Sequence, residues 1–198
     1  MEYKRRIADQ MLADKLDAMG AVLIEGPKAC GKTTTAEQHA KSVLYMDDPS
    51  RKEQYKQMAN TNIKYLLEGD TPRLIDEWQE VPQFWDAIRF EVDHREDDGQ
   101  FMLTGSAVPV CTTEISHTGT GRFGWLTMRP MSLWESGESN GKISLSSLFH
   151  SPENIEADSS LDMKTLAFVV CRGGWPKSLL KKTDKAALMQ AKEYFKAI

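Results

Sequence analysis

The stretch Ala21-Val22-Leu23-Ile24-Glu25-Gly26-Pro27-Lys28-Ala29-Cys30-Gly31-Lys32-Thr33 decides the fold, because it joins an apolar run to a complete G-x-x-x-x-G-K-[ST] loop. This pattern is a phosphate-binding loop, or Walker A motif. Its glycines let backbone N–H groups surround a phosphate, its lysine reaches the terminal phosphate oxygens, and its threonine hydroxyl ligates Mg²⁺. The apolar run predicts a buried strand, and residues 33–42 predict a helix whose positive end points at the same phosphates. A glycine turn with an exposed lysine is the simpler alternative, and the order of strand, loop and helix disfavours it.

Composition is that of a globular protein with a modest acidic charge. The 198 residues suffice for one α/β domain with a sizeable core, and the formal net charge of −4 excludes a strong overall basic field. No apolar run approaches the roughly 18 residues of a membrane span, and the first residues, Met-Glu-Tyr-Lys-Arg-Arg, lack the apolar core of a secretion signal. We therefore expect a cytoplasmic protein without membrane contact. Cys30, Cys111 and Cys171 lie far apart, which predicts reduced thiols rather than disulfides or a zinc site.

A second apolar run ends in two acidic residues. The sequence Arg73-Leu74-Ile75-Asp76-Glu77-Trp78-Gln79 has the pattern of a Walker B strand. An aspartate at the end of such a strand can hold Mg²⁺ together with the loop threonine, so we assign Thr33 and Asp76 to the metal. The adjacent Glu77 would orient or deprotonate an attacking water. The alternative is a strand that ends in a solvated acidic turn. A GTPase would show Asp-x-x-Gly here and Asn-Lys-x-Asp later, and the sequence contains neither.

Two further positions are candidates for contact with a terminal phosphate. Residues 100–103 predict a strand beside the Walker B strand, and the polar residue at its end, Thr104 or Ser106, could sense the phosphate or position the water. A plain turn is the alternative. Residues 107–121 predict a mobile loop that leads to Arg122. An arginine there could reach the phosphate as a finger, in its own subunit or in a neighbouring one, or it could only brace the loop.

The remaining segments predict the elements that surround these motifs. Residues 51–68 predict two short helices that break near Asn60-Thr61-Asn62, and a helix after Val81-Pro82 buries an aromatic pair, Phe84 and Trp85. Asp47-Asp48-Pro49 predicts a turn, which we favour over water-mediated contact with Mg²⁺. Further strands are predicted at 42–46, 123–128 and, within a polar surface excursion, 143–149. Residues 3–19 predict an amphipathic helix whose buried face carries Ile7, Met11, Leu12, Leu16 and Met19.

Five motifs occur in one order along the chain: the loop ending in Gly31-Lys32-Thr33-Thr34, then Ile75-Asp76-Glu77-Trp78-Gln79-Glu80-Val81-Pro82, Leu103-Thr104-Gly105-Ser106, Gly121-Arg122 with Pro130-Met131-Ser132-Leu133-Trp134-Glu135, and Arg172-Gly173-Gly174-Trp175-Pro176. Together they resemble the large prokaryotic family of AAA-like ATPases in which a P-loop domain precedes a C-terminal domain of unknown function. The resemblance covers roughly residues 15 to 198. The sequence departs from the family at Lys28, where members often carry arginine and its bidentate fork, and in a long polar insert before Leu161.

The resemblance implies an ATPase core of the additional-strand catalytic-glutamate type, and the Gly-Gly-aromatic-Pro element then marks the start of a second domain. We predict a core over residues 1–135, a polar junction over 136–162 and the start of a C-terminal domain over 163–198. A helix predicted over 185–198 ends on an apolar residue without a cap. Because family members are longer, we expect this C-terminal domain to be truncated.

These observations predict a three-layer α/β P-loop fold with a parallel sheet, in which the Walker A and Walker B strands are neighbours. The predicted function is slow, Mg²⁺-dependent hydrolysis of ATP to ADP and phosphate, with Lys32, Glu77, Thr104 and Arg122 as catalytic residues. A nucleotide-gated binding module in a regulatory or defence system, with little turnover, is the alternative; a phosphotransferase is disfavoured because no arginine-rich lid is present. Assembly into a homo-oligomer is one open possibility. Binding of nucleic acid is another, through a short basic stretch formed by Arg172, Lys177, Lys181 and Lys182. The predicted nucleotide contacts are Gly26, Pro27, Lys28, Ala29, Cys30, Gly31, Lys32, Thr33 and Thr34.

Overall fold

The structure is a computed structural model that describes residues 3–105, 119–154 and 156–197. These residues form two compact units, one of Ile7–Arg129 and one of Met1–Arg6 together with Pro130–Ile198. The domain boundaries predicted at residues 135 and 162 stay predictions. Ser106, Cys111 and most of the loop predicted over 107–121 lie outside the described residues.

The unit Ile7–Arg129 is built on a parallel sheet of five strands in the order β2-β3-β4-β1-β5. In register, Thr104 pairs with Ile24 of the Walker A strand on one side and with Asp76 of the Walker B strand on the other. The strand that ends in Thr104 therefore separates the two motif strands, and the prediction that they are neighbours is wrong. The strands are β1 (Ala21–Glu25), β2 (Ser42–Tyr45), β3 (Arg73–Asp76), β4 (Phe101–Thr104) and β5 (Phe123–Thr127).

Helices cover both faces of this sheet, which confirms the predicted three-layer α/β fold. Alternate residues of β1 show the two sides: Val22 and Ile24 pack with the helices of one face, and Leu23 packs with those of the other. Burial on both faces explains why the strand reads as an unbroken apolar run. The first face carries α1 (Ile7–Leu16) and α2 (Lys32–Glu37), and the second carries α3 (Lys52–Asn62), α4 (Lys64–Leu67) and α5 (Phe84–His94).

Two helices of this unit differ from the sequence prediction, whereas the aromatic pair of α5 is buried as predicted. In α1 the buried stripe runs through Ala8, Leu12 and Leu16, while Ile7 and Met11 are 50% and 46% exposed. The small Ala8 side chain lets this stripe approach the sheet, so the larger neighbours face outward. Helix α2 ends at Glu37 rather than at residue 42 because the N–H of Lys41 already donates to the carbonyl of Pro72, 2.9 Å away, next to the β2–β3 ladder.

The second unit contains α6 (Leu133–Ser136), α7 (Leu145–His150), α8 (Met163–Arg172), α9 (Pro176–Leu179) and α10 (Asp184–Ala197). A buried ion pair joins Arg6 Nε to Glu135 Oε1 at 2.9 Å. A second joins Arg172 Nη1 to Glu138 Oε1 at 2.7 Å. Burial raises the pKa of Glu138, but hydrogen bonds from Arg172 and Ser136, together with the positive charge of Arg172, hold the pKa below its usual value.

Residues 143–149, predicted as a strand, instead lead into α7. Ser144 caps this helix: its hydroxyl accepts from the N–H of Ser147, and the Ser147 hydroxyl accepts from the N–H of Ser144, each at 3.0 Å. This reciprocal capping box satisfies two backbone donors that a helix start leaves unpaired. The strand prediction is therefore wrong: the serines that alternate with apolar residues provide a helix cap.

We expect the buried middle of β3 to dominate the stability of the unit Ile7–Arg129. Ile75 has no exposed surface and packs among α4, α5 and the neighbouring strands. Replacing it by alanine leaves a cavity, so Ile75→Ala should lower the free energy of unfolding by about 2–5 kcal/mol in urea denaturation. Tyr65→Ala, on the exposed side of α4, should change it by no more than about 0.5 kcal/mol. Equal effects of the two substitutions would contradict this account of the core.

Candidate functional site

The Walker A loop leaves β1 after Glu25 and enters α2 at Lys32. Gly26 has φ +149°, and a Cβ on this residue would lie 2.1 Å from the carbonyl oxygen of Met128. Only glycine lets the loop pass this close to the end of β5. Gly31 has φ +105° and forms the left-handed N-cap of α2. These two backbone conformations turn the loop back over the start of the helix, as the spacing of the motif predicts.

Lys32 is buried, and its ammonium group lies across the loop. Its Nζ donates to the carbonyl oxygens of Gly26 at 2.8 Å and Pro27 at 3.1 Å. Since an ammonium group has three donors and no acceptor, the same atom can exchange these carbonyls for other oxygens. The side chain thus keeps a positive charge against the loop, where an anion would be cradled.

Asp76 is the meeting point of the Walker A and Walker B segments. Its Oδ1 accepts a hydrogen bond of 2.7 Å from Thr33 Oγ1 and another from Thr104 Oγ1. Asp76 is only 5% exposed. The structure therefore brings together the two residues predicted to hold the metal and the threonine predicted to sense the phosphate, all at the carboxyl edge of the sheet.

Glu77 follows directly and has an unusual backbone conformation. Its φ is +54°, and Ala29 in the Walker A loop has φ +63°; among the described residues, these are the non-glycine residues with positive φ. Left-handed backbone costs a non-glycine residue about 1–3 kcal/mol, and such strain tends to cluster at functional sites. The Glu77 side chain is partly buried, and its Oε2 accepts a hydrogen bond from Gln79 Nε2.

Arg122 is not brought to these residues. Its carbonyl oxygen accepts from the N–H of Ala21, at the amino end of β1, whereas the loop leaves β1 from the carboxyl end. Its guanidinium donates to Asp93 Oδ1 at 2.7 Å, and this hydrogen bond lowers the pKa of Asp93. A finger role within the same subunit does not fit this placement. The role in a neighbouring subunit stays a prediction.

The edge of β2 adds a pair that sequence reasoning missed. Tyr45 pairs in register with Asp76, and its hydroxyl donates to Glu37 Oε1 at 2.6 Å. This hydrogen bond, with burial and the negative charge of Glu37, raises the pKa of Tyr45 to about 12. No motif links residues eight positions apart on a helix and a strand, so the sequence carried no signal for the pair. The predicted turn after β2 is present, since Asp48 Oδ1 accepts from both the N–H and the hydroxyl of Ser50.

The donor set fits an ion that arrives with a nucleotide better than one held by protein alone. Among the described residues, no group of three or more histidine, cysteine or acidic side chains is placed to hold a metal ion. Mg²⁺ typically takes one or two protein oxygens and completes its shell with water and substrate phosphates. The Thr33 hydroxyl and Asp76 carboxylate are such a pair. Within the same described ranges, none of the helices combines the length and hydrophobicity that a membrane span requires.

A glycine-bent loop joins strand β1 to a helix, and an acidic residue ends β3, which β4 separates from β1. This arrangement defines a P-loop nucleoside triphosphatase fold. A family model described as an AAA domain matches residues 19–136, more than half of the chain. The chain therefore belongs to the AAA-domain family, which confirms the resemblance to AAA-like P-loop ATPases. No curated protein sequence matches the chain significantly.

One solved structure shares the fold at low sequence identity, and a second resembles the chain more weakly. The Walker-type ATPase PABY2304 of Pyrococcus abyssi superposes with a TM-score of 0.55 at 13% identity, covering 98% of this chain and 73% of the other. C. elegans PCH-2 gives a TM-score of 0.44 at 12% identity, covering 95% of this chain and 66% of the other. The first match supports the P-loop ATPase fold, and the second is too weak to support an inference.

The hydrogen bonds that Thr33 and Thr104 donate to the Asp76 carboxylate should stabilise the fold even without nucleotide. Thr104 is buried, and replacing it by the nearly isosteric valine removes one donor to the Asp76 carboxylate. Thr104→Val should therefore lower the free energy of unfolding by about 1.5–3 kcal/mol, measured by urea denaturation. Thr104→Ser keeps the hydroxyl, so its free energy of unfolding should fall less. Thr127→Val, on the exposed side of β5, is the matched control. Unchanged unfolding of Thr104→Val would show that this hydrogen bond contributes nothing.

Proposed function

We propose that the chain binds ATP together with Mg²⁺ and hydrolyses it to ADP and phosphate. The observation that carries this proposal is the Asp76 carboxylate, which accepts from Thr33 and Thr104 beside the loop that holds Lys32. Ligands of open parallel α/β sheets bind at the carboxyl ends of the strands, where all four residues lie. Membership of the AAA-domain family supports a nucleoside triphosphate as the ligand.

The loop would bind the phosphates and the strand end would hold the metal. Backbone N–H groups of residues 26–34 and the N-terminus of α2 offer donors to phosphate oxygens, while Lys32 Nζ exchanges its carbonyl partners for the β and γ oxygens. Thr33 and Asp76 would hold Mg²⁺ through their oxygens. When bound, Mg²⁺ neutralises charge on the β- and γ-phosphates.

Hydrolysis then requires a water molecule and a base. The water oxygen forms a bond to the γ-phosphorus as the bond to the bridging oxygen breaks, and the electron pair leaves with ADP. Glu77, one residue beyond Asp76, accepts the proton of the water and later returns it to the phosphate or to solvent. Lys32 would stabilise charge on the departing oxygens, and the buried hydroxyl of Thr104 would sense the γ-phosphate.

Substitution of Glu77 separates binding from turnover. Glu77→Gln keeps the shape of the side chain but removes its basicity, so phosphate release should fall at least about 100-fold while ATP affinity stays within about twofold. Lys32→Ala should instead weaken ATP binding by about tenfold or more. Phosphate release and equilibrium ATP binding are the measurements. Glu80→Gln, in the same turn but paired with Lys52 at 2.8 Å, is the control and should hydrolyse ATP like the parent.

Each alternative outcome has its own meaning. Hydrolysis by Glu77→Gln at the parent rate would show that Glu77 is not the base. Tight ATP binding by the parent without phosphate release would favour the nucleotide-gated binding module. Transfer of phosphate only to an added acceptor would favour a phosphotransferase, and absence of ATP binding would overturn the proposal as a whole.

Arg122 enters the proposal only as a group that acts on a neighbouring subunit. Because its guanidinium pairs with Asp93 at the amino edge of the sheet, Arg122→Ala should leave the hydrolysis rate per subunit of dilute, monomeric protein unchanged. If subunits assemble and Arg122 acts between them, the parent rate should rise with protein concentration and the Arg122→Ala rate should not. Asp93→Asn, which removes the partner of Arg122, is the matched control. A rate loss in dilute Arg122→Ala would contradict the observed placement.

A further inference from the structure

The side chain of Gln79 lies between two parts of the candidate site. Gln79 belongs to a short 3-10 helix, Trp78–Glu80, that follows the Walker B strand. Its Nε2 donates a hydrogen bond to Glu77 Oε2. The acceptor is a carboxylate, so this bond is charge-assisted and stronger than a bond between neutral groups. The contact therefore restrains the side chain that the proposed hydrolysis uses as its base.

The other end of the same amide faces the end of β4. A Cβ built on Gly105 would lie 2.3 Å from Gln79 Oε1 and 3.2 Å from its Cδ. Gly105 follows Thr104 directly and has no positive φ that would by itself require glycine. Trp78 Cδ1 would also lie 3.3 Å from this Cβ, but the Gln79 amide is the nearer group, so the absence of a side chain at position 105 leaves room chiefly for that amide.

The oxygen of the amide has no evident structural task of its own. Gln79 Oε1 is buried, and within the part of the chain that the structure describes it has no hydrogen-bond partner. A buried acceptor without a partner is costly, and a leucine of similar size would avoid that cost. The hydrogen bond that the amide nitrogen donates to Glu77 explains why an amide is buried at this position.

We propose that Gln79 is a positioning residue for Glu77, and that Gly105 reserves the space its amide needs. The inference rests on the proposed hydrolysis. A glutamate side chain has several rotamers, and on a left-handed backbone the direction of the carboxylate depends on what restrains it. The Gln79 bond selects one direction before the nucleotide binds. Gln79 itself touches neither the phosphates nor the water in this scheme, so its effect is exerted entirely through Glu77.

The first test replaces the amide by an apolar group of similar size. Gln79→Leu should lower kcat about 10- to 100-fold, by analogy with the loss of a residue that orients a metal ligand. KM for ATP should stay at the parent value. The stoichiometry of ATP binding should also be unchanged, which would show that the folded fraction is the same. Gln83→Leu, at an exposed glutamine four positions along the chain, is the matched control and should hydrolyse ATP like the parent. Parent-like kcat in Gln79→Leu would overturn the inference.

The second test asks whether Gln79 acts through Glu77. In a Glu77→Gln background, Gln79→Leu should cause no further fall in kcat, because residues that act as a unit are not additive. A purely structural role would multiply the two losses, and that result would overturn the inference.

The third test uses Gly105. Gly105→Ala places a methyl group against the end of a flexible side chain, so the protein should fold, but the Gln79 amide must move. The substitution should lower kcat in the parent and have little further effect in Gln79→Ala, where the amide is absent. An equal effect in both backgrounds would contradict the role given to Gly105.

Failure of the inference differs from failure of the proposed function. If the parent hydrolyses ATP and Glu77→Gln does not, but Gln79→Leu keeps the parent kcat, only the role of Gln79 is wrong. If Glu77→Gln hydrolyses ATP like the parent, the base is misassigned and the positioning role fails with it.

Discussion

The Asp76 carboxylate is the group on which the arrangement of the site depends. A charge that is nearly buried must be hydrogen-bonded, or its burial costs several kcal/mol. The donors come from two different elements, Thr33 at the start of α2 and Thr104 at the end of β4, while the acceptor ends β3. One carboxylate therefore joins the start of α2 to the ends of β3 and β4. The need to satisfy its charge fixes the positions of these three ends relative to one another.

Other residues at the carboxyl edge of the sheet, around the Asp76 carboxylate, have strained backbone conformations. Ala29 and Glu77 have left-handed backbones, and Gly26 passes the end of β5 with no room for a side chain. Such conformations persist only where the surroundings determine them fully. Here the buried apolar strands do so, since β1, β3 and β4 are almost entirely inaccessible to solvent. A rigid core thus supports an edge whose loops are conformationally strained.

What the sequence predicts well is local, and what it misses depends on strand order or tertiary partners. The Walker A loop, the acidic end of β3 and Thr104 are encoded in short patterns whose residues are close in the chain. The insertion of β4 between the motif strands is not local, because strand order depends on which apolar faces pack. The position of Arg122 is non-local for a related reason: a residue that precedes a strand parallel to β1 lies at the amino edge of the sheet, and the direction of β5 depends on its pairing with β1.

The family motifs outside the P-loop unit have a different physical basis, which is packing rather than chemistry. The N–H of Met131 donates to the carbonyl of Gly174 at 2.7 Å, and a Cβ on Gly174 would lie 2.1 Å from the Met131 oxygen. The second glycine of Gly-Gly-Trp-Pro is thus required by a close backbone contact. Glu135 caps α6 and also pairs with Arg6, so a single buried carboxylate completes a helix start and neutralises a buried guanidinium. The motifs that identify the family therefore divide in two. Those of the Ile7–Arg129 unit place oxygens and charges at the edge of a sheet, and those of the second unit satisfy backbone groups and buried charges within a small helical unit.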